Sequence, residues 1–310
     1  MRTNTAVELL RTVYQTTVPA TVRKGVWIAR RRVPRRMHDM RWALDDRARL
    51  ARWTDRRLDI GPWYWLFLLG CNNSGTTLLV ETLQSHPVIR QLPKEGQRLT
   101  QAIPNSAPLG IGRVFTQRLD LFRQTEADEG SCLPRLRYDW AYYSDPAPGI
   151  RLEKSPPNTL RSRWIQRYFT PARFLVLVRN PYAVCEGIAR RRGHSIEEAA
   201  LHWRTVHEVL QQDMPHLEHC LTVRYEDFCE RPLQILEAVQ RFLGLEDPFD
   251  ASIATRQFKA HNMNGMPHQL ENFNARSIER LSNADRSVIT RVIGDRMVRW
   301  GYEPLVTRPS

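Results

Sequence analysis

The sequence predicts an α/β fold with a central parallel sheet covered by helices on both faces. Three observations predict it. Short, unbroken apolar runs occur at 66–69 and 174–178, the pattern of strands buried on both sides, and Leu221–Arg224 reads as a third strand. Segments with helical spacing follow each of them, near 76–84, 182–192 and 233–243. A polar, glycine-bounded loop joins the first strand to the first helix, in the run FLLGCNNSGTTLL.

That loop reads G-x-x-x-x-G-T-T from Gly70 through Gly75 to Thr76 and Thr77. Its spacing is that of a P-loop, with backbone N–H groups and the positive end of a helix dipole facing whatever binds above. Thr76 stands where a nucleotide triphosphatase has its lysine, so the loop suits a shorter phosphate or sulfate anion. Ser74, Thr76 and Thr77 add hydroxyl donors. The residue following the second run, Arg179, falls at the carboxyl end of its strand, where open parallel sheets bind ligands. A guanidinium there can fork onto a phosphate. Pro181 then opens the next helix, as proline does at a first helical position.

Further along, Arg163–Tyr168 and residues 196–212 read as helices, residues 114–124 hold one helical stretch inside a Pro- and Gly-punctuated region, and residues 277–300 read as a single closing helix. Residues 250–275 read as loop. The N-terminal region differs in composition. Residues 1–60 hold fifteen basic side chains against six acidic ones, a net of +9 out of the chain's +13. Val7, Leu10 and Tyr14, then Val22, Val26 and Trp27, then a segment over 37–58, suggest amphipathic helices with basic faces. The division expected is a basic extension, 1–60, and a domain, 61–310. An anionic membrane surface, a polyanion such as nucleic acid, and a solvated arm packed on the domain all compete to explain the extension. Nucleic acid is the least expected, since no nucleic-acid-binding motif is matched.

At 310 residues with 42% hydrophobic content the chain can bury a sizeable core. It has no run of ~18 apolar residues and no apolar segment followed by a cleavage site, so neither a membrane span nor a secretory signal is expected. The five cysteines have no paired spacing and are expected as reduced thiols in a protein that is cytoplasmic or peripheral at the inner face of the membrane. His216, His219 and Cys220 lack a fourth ligand, so no metal is expected.

Three runs in order, FLLGCNNSGTTLL, FLVLVRNPYAV and VRYEDFCERPLQILEAVQRFLGL, resemble the sulfotransferase family, which uses 3′-phosphoadenosine 5′-phosphosulfate (PAPS). The resemblance covers about residues 64–245. It implies a three-layer P-loop-like fold, sulfuryl transfer to a hydroxyl or amine, and no metal ion. It assigns Ser74, Gly75, Thr76 and Thr77 to the phosphosulfate, Arg179 to the 3′-phosphate and Tyr225 to the neighbourhood of the adenine, leaving Glu226 and Asp227 structural. Two positions depart from the family's habit: Asn73 replaces a common Lys or Arg, and Gly187 replaces a common serine. Arg190, Arg191 and Arg192 follow Gly187 and could restore charge to the 3′-phosphate site, or form a solvated helix face.

The run RLEKSPPN resembles the Glu-Lys-Ser-Pro run of heparan sulfate sulfotransferases, whose lysine approaches the transferred group, which points to Lys154. The same group carries a Lys-Glu pair after the first helix, which points to Glu95 as the base, with His86 as the second candidate. His261, Asn262 and Gly265 are placed near an acceptor pocket and Arg276 near the donor. The implied acceptor is a saccharide or glycoconjugate, with lipids and small molecules as other options. Two other classes stay open: a nucleotide-dependent phosphoryl transferase, disfavoured by Thr76, and a non-catalytic nucleotide- or polyanion-binding relative, for which Asn73 and Gly187 speak.

Overall fold

The computed structural model describes residues 35–58, 63–259 and 267–305. The readings at 7–14 and 22–27, and those at His261, Asn262 and Gly265, lie outside them. The chain forms two compact units, Met1–Trp53 and Thr54–Ser310. In the first, helix α1 (Arg35–Leu44) is followed by α2 (Arg47–Leu58), which runs across the division. The break between them has a local cause. Asp46 accepts the Arg49 N–H at 2.8 Å and so caps α2, while Asp45 pairs with Arg41 and Arg49.

The second unit carries the sheet. In chain order its elements are β1 (Trp65–Gly70), α3 (Thr76–Leu83), β2 (Ile89–Gln91), α4 (Leu119–Phe122), α5 (Leu133–Tyr143), β3 (Ile150–Glu153), α6 (Ser162–Tyr168), β4 (Ala172–Val178), α7 (Pro181–Arg192), α8 (Ile196–Asp213), β5 (Cys220–Arg224), α9 (Tyr225–Glu230), α10 (Pro232–Leu243), the two-residue strands β6 (Phe258–Lys259) and β7 (Pro267–His268), α11 (Asn274–Glu279) and α12 (Asn283–Ile293). Five strands form one parallel sheet in the order β2-β3-β1-β4-β5. The α/β class and the parallel sheet are as expected.

Each face of the central strands packs under helices. Leu66 and Leu68 of β1 join Leu175 and Leu177 of β4, and pack with Leu79, Val80 and Leu83 of α3 and Leu236, Val239 and Leu243 of α10. The alternate residues Trp65 and Phe67 meet an aromatic layer: Phe67 stacks on Phe174 at 5.8 Å, and Trp65 lies 5.5 Å from Trp140 of α5 and 5.4 Å from Phe169. Burial on both faces is why β1 and β4 are continuous apolar runs rather than alternating ones.

Strand order also creates the site. The chain leaves β1 toward β2 on one side of the sheet, and leaves β4 toward β5 on the other. The crevice between the carboxyl ends of β1 and β4 is therefore the topological switch point, and the Gly70 loop and Arg179 both fall there.

Three expectations are corrected. The closing segment is two helices, not one: Ser282 and Asp285 form a reciprocal capping box that starts α12, and Gly294 ends it. The stretch at 114–124 is a short 3-10 turn, Phe115–Arg118, followed by the single turn of α4. Residues 250–275, read as loop, hold a 3-10 turn at Ala251–Ala254, β6, β7 and the start of α11. No helix of the described residues is long and apolar enough to cross a membrane.

Phe67 is wholly buried among the rings of Trp65, Trp140, Phe169 and Phe174. Phe67→Ala is expected to destabilise the fold by about 3–5 kcal/mol, whereas Leu233→Ala, at a half-exposed position (48% exposed), shifts stability by about 0.5 kcal/mol or less. Urea unfolding of the two variants checks the contrast.

Candidate active site

The loop after β1 closes tightly because two glycines allow it. Gly70 has φ 149°, and a Cβ there would stand 2.6 Å from the Leu177 carbonyl oxygen of β4. Gly75 has φ 92°, and a Cβ there would stand 2.6 Å from the Tyr225 ring. No side chain caps α3, so its first amides remain available, and the Ser74 hydroxyl is buried without a hydrogen-bond partner. Thr76 is buried and Thr77 exposed at the same helix start. These are the features of an anion cradle. Thr159 fixes the loop's entrance, its Oγ1 accepting the Gly70 N–H at 3.0 Å.

Three guanidinium groups converge on one loop residue. Asn73 has φ 63°, a left-handed conformation that asparagine tolerates. Its backbone carbonyl accepts from Arg179 Nη1 at 2.9 Å. Its Oδ1 accepts from Arg113 Nη1 at 2.6 Å and from Arg191 Nη1 at 3.3 Å. Arg179 is held in turn by Asn274 Oδ1 at 2.8 Å, and its guanidinium lies 4.0 Å from the centre of the Tyr225 ring. Burial lowers the Arg191 pKa to about 10, with the nearby positive charges of Arg113, Arg190 and Arg179 adding to it and Glu186 opposing them.

The two departures from the family pattern meet here. A Cβ on Gly187 would lie 3.2 Å from Asn73 Nδ2, which is buried and has no partner. The glycine makes room for the asparagine. Arg113, in the turn before Val114, belongs to this group and carried no signal in the sequence; no motif surrounds it. Of the three arginines after Gly187, Arg191 reaches the site. Arg190 pairs with Glu186 at 2.6 Å, and the side chain of Arg192 lies outside the described residues.

A second charged group sits one strand over. Lys154 follows β3 directly, and its Nζ meets Glu95 Oε1 at 3.0 Å. Burial pushes the Glu95 carboxyl up, but Lys154, Gln97 and Arg98 outweigh it and hold the group below its ordinary value. Beneath the pair lies Glu153, wholly buried at the end of β3. Burial pushes Glu153 up to about 7, aided by Glu95 and opposed by the donors Ser155 and Gly96 and by Lys154.

Other sequence candidates fall elsewhere. His86 follows α3 and sits at the amino-terminal edge of the sheet, just ahead of β2, where Nε2 meets the Asp247 carbonyl at 3.0 Å and the ring packs against Phe249. The structure does not bring it to the edge that carries the loop. Arg276 pairs with Glu271 at 3.3 Å and lies by Phe273. Glu226 is a structural hub, accepting from Asn180 N, Asn274 Nδ2 and the Tyr302 hydroxyl. Among the described residues no group of three His, Cys, Asp or Glu side chains is gathered as a metal site, and all five cysteines are free thiols.

Fold and site together define a P-loop-like α/β protein in which an uncapped, hydroxyl-rich loop and a cluster of guanidiniums meet at one crevice. The chain belongs to the sulfotransferase family, whose profile matches residues 66–250. It is 24% identical to the protein-tyrosine sulfotransferase of Drosophila melanogaster over 250 residues, 76% of this chain and 46% of that protein. The chain thus spans less than half the length of that curated relative. Among solved structures, the sulfotransferase domain from the curacin biosynthetic pathway matches with a TM-score of 0.51 at 19% identity, covering 79% of this chain and 99% of that one. The sulfotransferase domain from the olefin synthase of Synechococcus PCC 7002 matches with a TM-score of 0.51 at 19% identity, covering 80% and 98%. At these identities the structural likeness shows a shared fold.

Two outcomes test this geometry. Gly187→Ser is expected to be better tolerated in an Asn73→Ala background than alone, with a coupling of about 0.5–3 kcal/mol in a double-mutant cycle read by urea unfolding. Glu153, raised to about 7 from 4.5, keeps its proton in the folded state after the unfolded chain has released it. Stability is therefore expected to fall as pH rises from 4.5 to about 7. This slope flattens in Glu153→Gln, as measured by thermal melts across that range.

Proposed function

We propose that the chain transfers a sulfuryl group from PAPS to an acceptor hydroxyl or amine. The observation that carries this reading is the meeting of an uncapped, hydroxyl-rich loop with the guanidiniums of Arg113, Arg179 and Arg191 around Asn73. A donor with one anionic end and a separate phosphate on its ribose matches two such features. The buried, unpartnered Ser74 hydroxyl and the absence of a Cβ on Gly75 fit that donor to this loop.

Ser74, Thr76, Thr77 and the first amides of α3 would hold the phosphosulfate end. Arg179, with Arg191 and Arg113 in place of the usual serine, would hold the ribose phosphate, and Tyr225 supports Arg179 from beneath. When bound, PAPS supplies an activated sulfuryl group joined to phosphate through an anhydride oxygen. Lys154 Nζ is the cation available to stabilise negative charge developing on that oxygen, the role left vacant by Asn73. Glu95 Oε1 is the base for the acceptor's proton. It is ionised but weakly basic while paired with Lys154. As Lys154 turns toward the donor, Glu95 loses its strongest positive partner and becomes more basic at the moment a proton must be taken.

For the acceptor, the Glu-Lys-Ser-Pro run supports a saccharide or glycoconjugate. The match to a protein-tyrosine sulfotransferase supports a second reading, the phenolic hydroxyl of a tyrosine in a peptide. The basic extension is proposed to rest on an anionic membrane surface from the cytoplasmic side. In its support, Met37, Met40 and Leu44 of α1 are 60%, 57% and 79% exposed at helical spacing, on a helix that also carries Arg35, Arg36 and Arg41.

Calorimetry is expected to show 3′-phosphoadenosine 5′-phosphate binding at least tenfold tighter than AMP, with Arg113→Ala weakening it by about 10- to 100-fold. Preference for ATP, or no binding, would overturn the reading. Labelled sulfate from PAPS is expected in either the saccharides or the tyrosine peptides of a mixed panel. Lys154→Ala and Glu95→Gln should each reduce turnover by about 10²- to 10⁴-fold with little change in nucleotide affinity. The protein is expected to pellet with anionic, but not neutral, liposomes at low salt; equal recovery from both sinks the membrane assignment.

A further inference from the structure

Glu153 has no access to solvent, so it cannot touch an acceptor. Its hydrogen bonds nevertheless reach both halves of the reactive pair. Oε1 accepts the Gly96 N–H at 2.7 Å and the Ser155 hydroxyl at 2.5 Å. Gly96 directly follows Glu95, and Ser155 directly follows Lys154. One carboxylate oxygen therefore ties together the two chain segments that carry the pair, each at the adjacent residue. The other oxygen accepts from Asn158 Nδ2. Asn158 precedes Thr159, whose hydroxyl holds the Gly70 amide at the start of the loop.

The fit around Gly96 is close. A Cβ there would lie 2.7 Å from Glu153 Oε1 and 2.7 Å from the Trp140 ring, and Trp140 Nε1 donates to the Gly96 carbonyl at 3.1 Å. The charges facing Glu153 are Glu95 from the loop after β2, Lys154 from its own strand end, and Arg161 from the 3-10 turn Pro156–Arg161. Arg161 is wholly buried, its guanidinium has no hydrogen-bond partner, and the Glu153 charge acts on it through space. A buried guanidinium in that state favours an ionised carboxylate nearby.

We propose that Glu153 is a positioning residue that sets Glu95 against Lys154 and couples the pair to the phosphosulfate loop. This rests on the roles assigned to Glu95 and Lys154 under sulfuryl transfer. The clamp works by accepting. Gly96 N–H and Asn158 Nδ2 can only donate, so a protonated Glu153 directs its new O–H to Ser155 Oγ, which then no longer donates to it, and the protonated oxygen accepts more weakly from the Gly96 N–H. Protonation thus stabilises the fold while loosening the site. Turnover and stability are expected to move in opposite directions as pH falls through about 7.

The test uses the full chain with 15N label, PAPS as donor, and the saccharides and tyrosine peptides as acceptors. In the wild type, the Gly96 amide shift is expected to titrate with a midpoint near 7. In Glu153→Gln that titration disappears, the melting temperature at pH 6 is unchanged or higher, kcat falls at least tenfold, KM for PAPS stays within about threefold, and the acidic limb of the kcat profile is lost. Ser155→Ala, a milder change, should keep the Gly96 titration and lose kcat to a smaller degree. A Gly96 amide that does not titrate, or that titrates equally in Glu153→Gln, overturns the proposal, as does kcat within twofold of wild type. If the wild type itself transfers no sulfate while the Gly96 titration behaves as expected, the sulfuryl-transfer reading fails and the clamp on the Glu95–Lys154 pair stands.

Discussion

The site depends on holding like charges together around a neutral residue. Arg113, Arg179 and Arg191 all donate to Asn73, which offers two oxygens and no charge. Two unit charges about 4 Å apart repel by about 1–4 kcal/mol at an effective dielectric of 80 to 20. The lowered Arg191 pKa records that repulsion together with burial. Hydrogen bonds from behind fix the cluster. Asn274 fastens Arg179, Glu226 fastens Asn274, and Glu226 also accepts from the Asn180 amide at the start of α7 and from Tyr302 near the chain's C-terminal side. The tyrosine–glutamate–aspartate run thus contributes twice: Tyr225 as a surface under Arg179, and Glu226 as the anchor behind it. A pre-assembled cationic cluster binds an anion without reorganising, which is how electrostatic preorganisation acts.

Backbone closeness makes this cluster possible. Gly70 lets β1 turn against the Leu177 carbonyl of β4, and Gly75 lets the helix start pass over the Tyr225 ring. The loop and the arginine that follows β4 are thereby brought to the same crevice. Thr159 adds a link from the 3-10 turn after β3 to the loop's first amide. Three consecutive positions of the sheet edge, β3, β1 and β4, each deliver one component: the Lys154 ammonium, the loop amides, and the Arg179 guanidinium. Their spacing is fixed by strand register rather than by any local motif.

That division explains what the sequence disclosed. β1 and β4 were legible because both faces are buried and, Arg173 apart, their residues are not polar. β3 was not, since Arg151 and Glu153 are buried polar residues in a strand of four, and they break the apolar pattern that marks a strand. Asn73 and Gly187 each looked like a lost function when taken singly. That the two positions touch is invisible in the sequence, over more than a hundred residues of separation. Arg113 has no flanking pattern to betray it. The end of the closing segment was readable: Ser282 with Asp285 three residues later is a helix-start signature, and helical periodicity overrode it. His86, the second candidate base, stands at the end of a helix running away from the loop, which puts it at the opposite edge.

Two carboxylates flank Lys154, and their environments push them in opposite directions, the pattern by which acid and base roles are often distinguished. Glu153 is raised and Glu95 is lowered. By proton affinity alone, Glu153 is the better base at neutral pH. Geometry decides otherwise. Glu153 has no exposed surface, and both its oxygens are engaged by Gly96, Ser155 and Asn158. Glu95 keeps 19% of its side chain exposed and holds Lys154 by one oxygen. A base must first reach the proton it takes, and only then does its pKa matter. Glu95 reaches solvent at the sheet edge and can gain basicity when its partner leaves. Glu153, by contrast, contributes by staying still, and its raised pKa is the cost of keeping a carboxylate where only a carboxylate can accept from both sides.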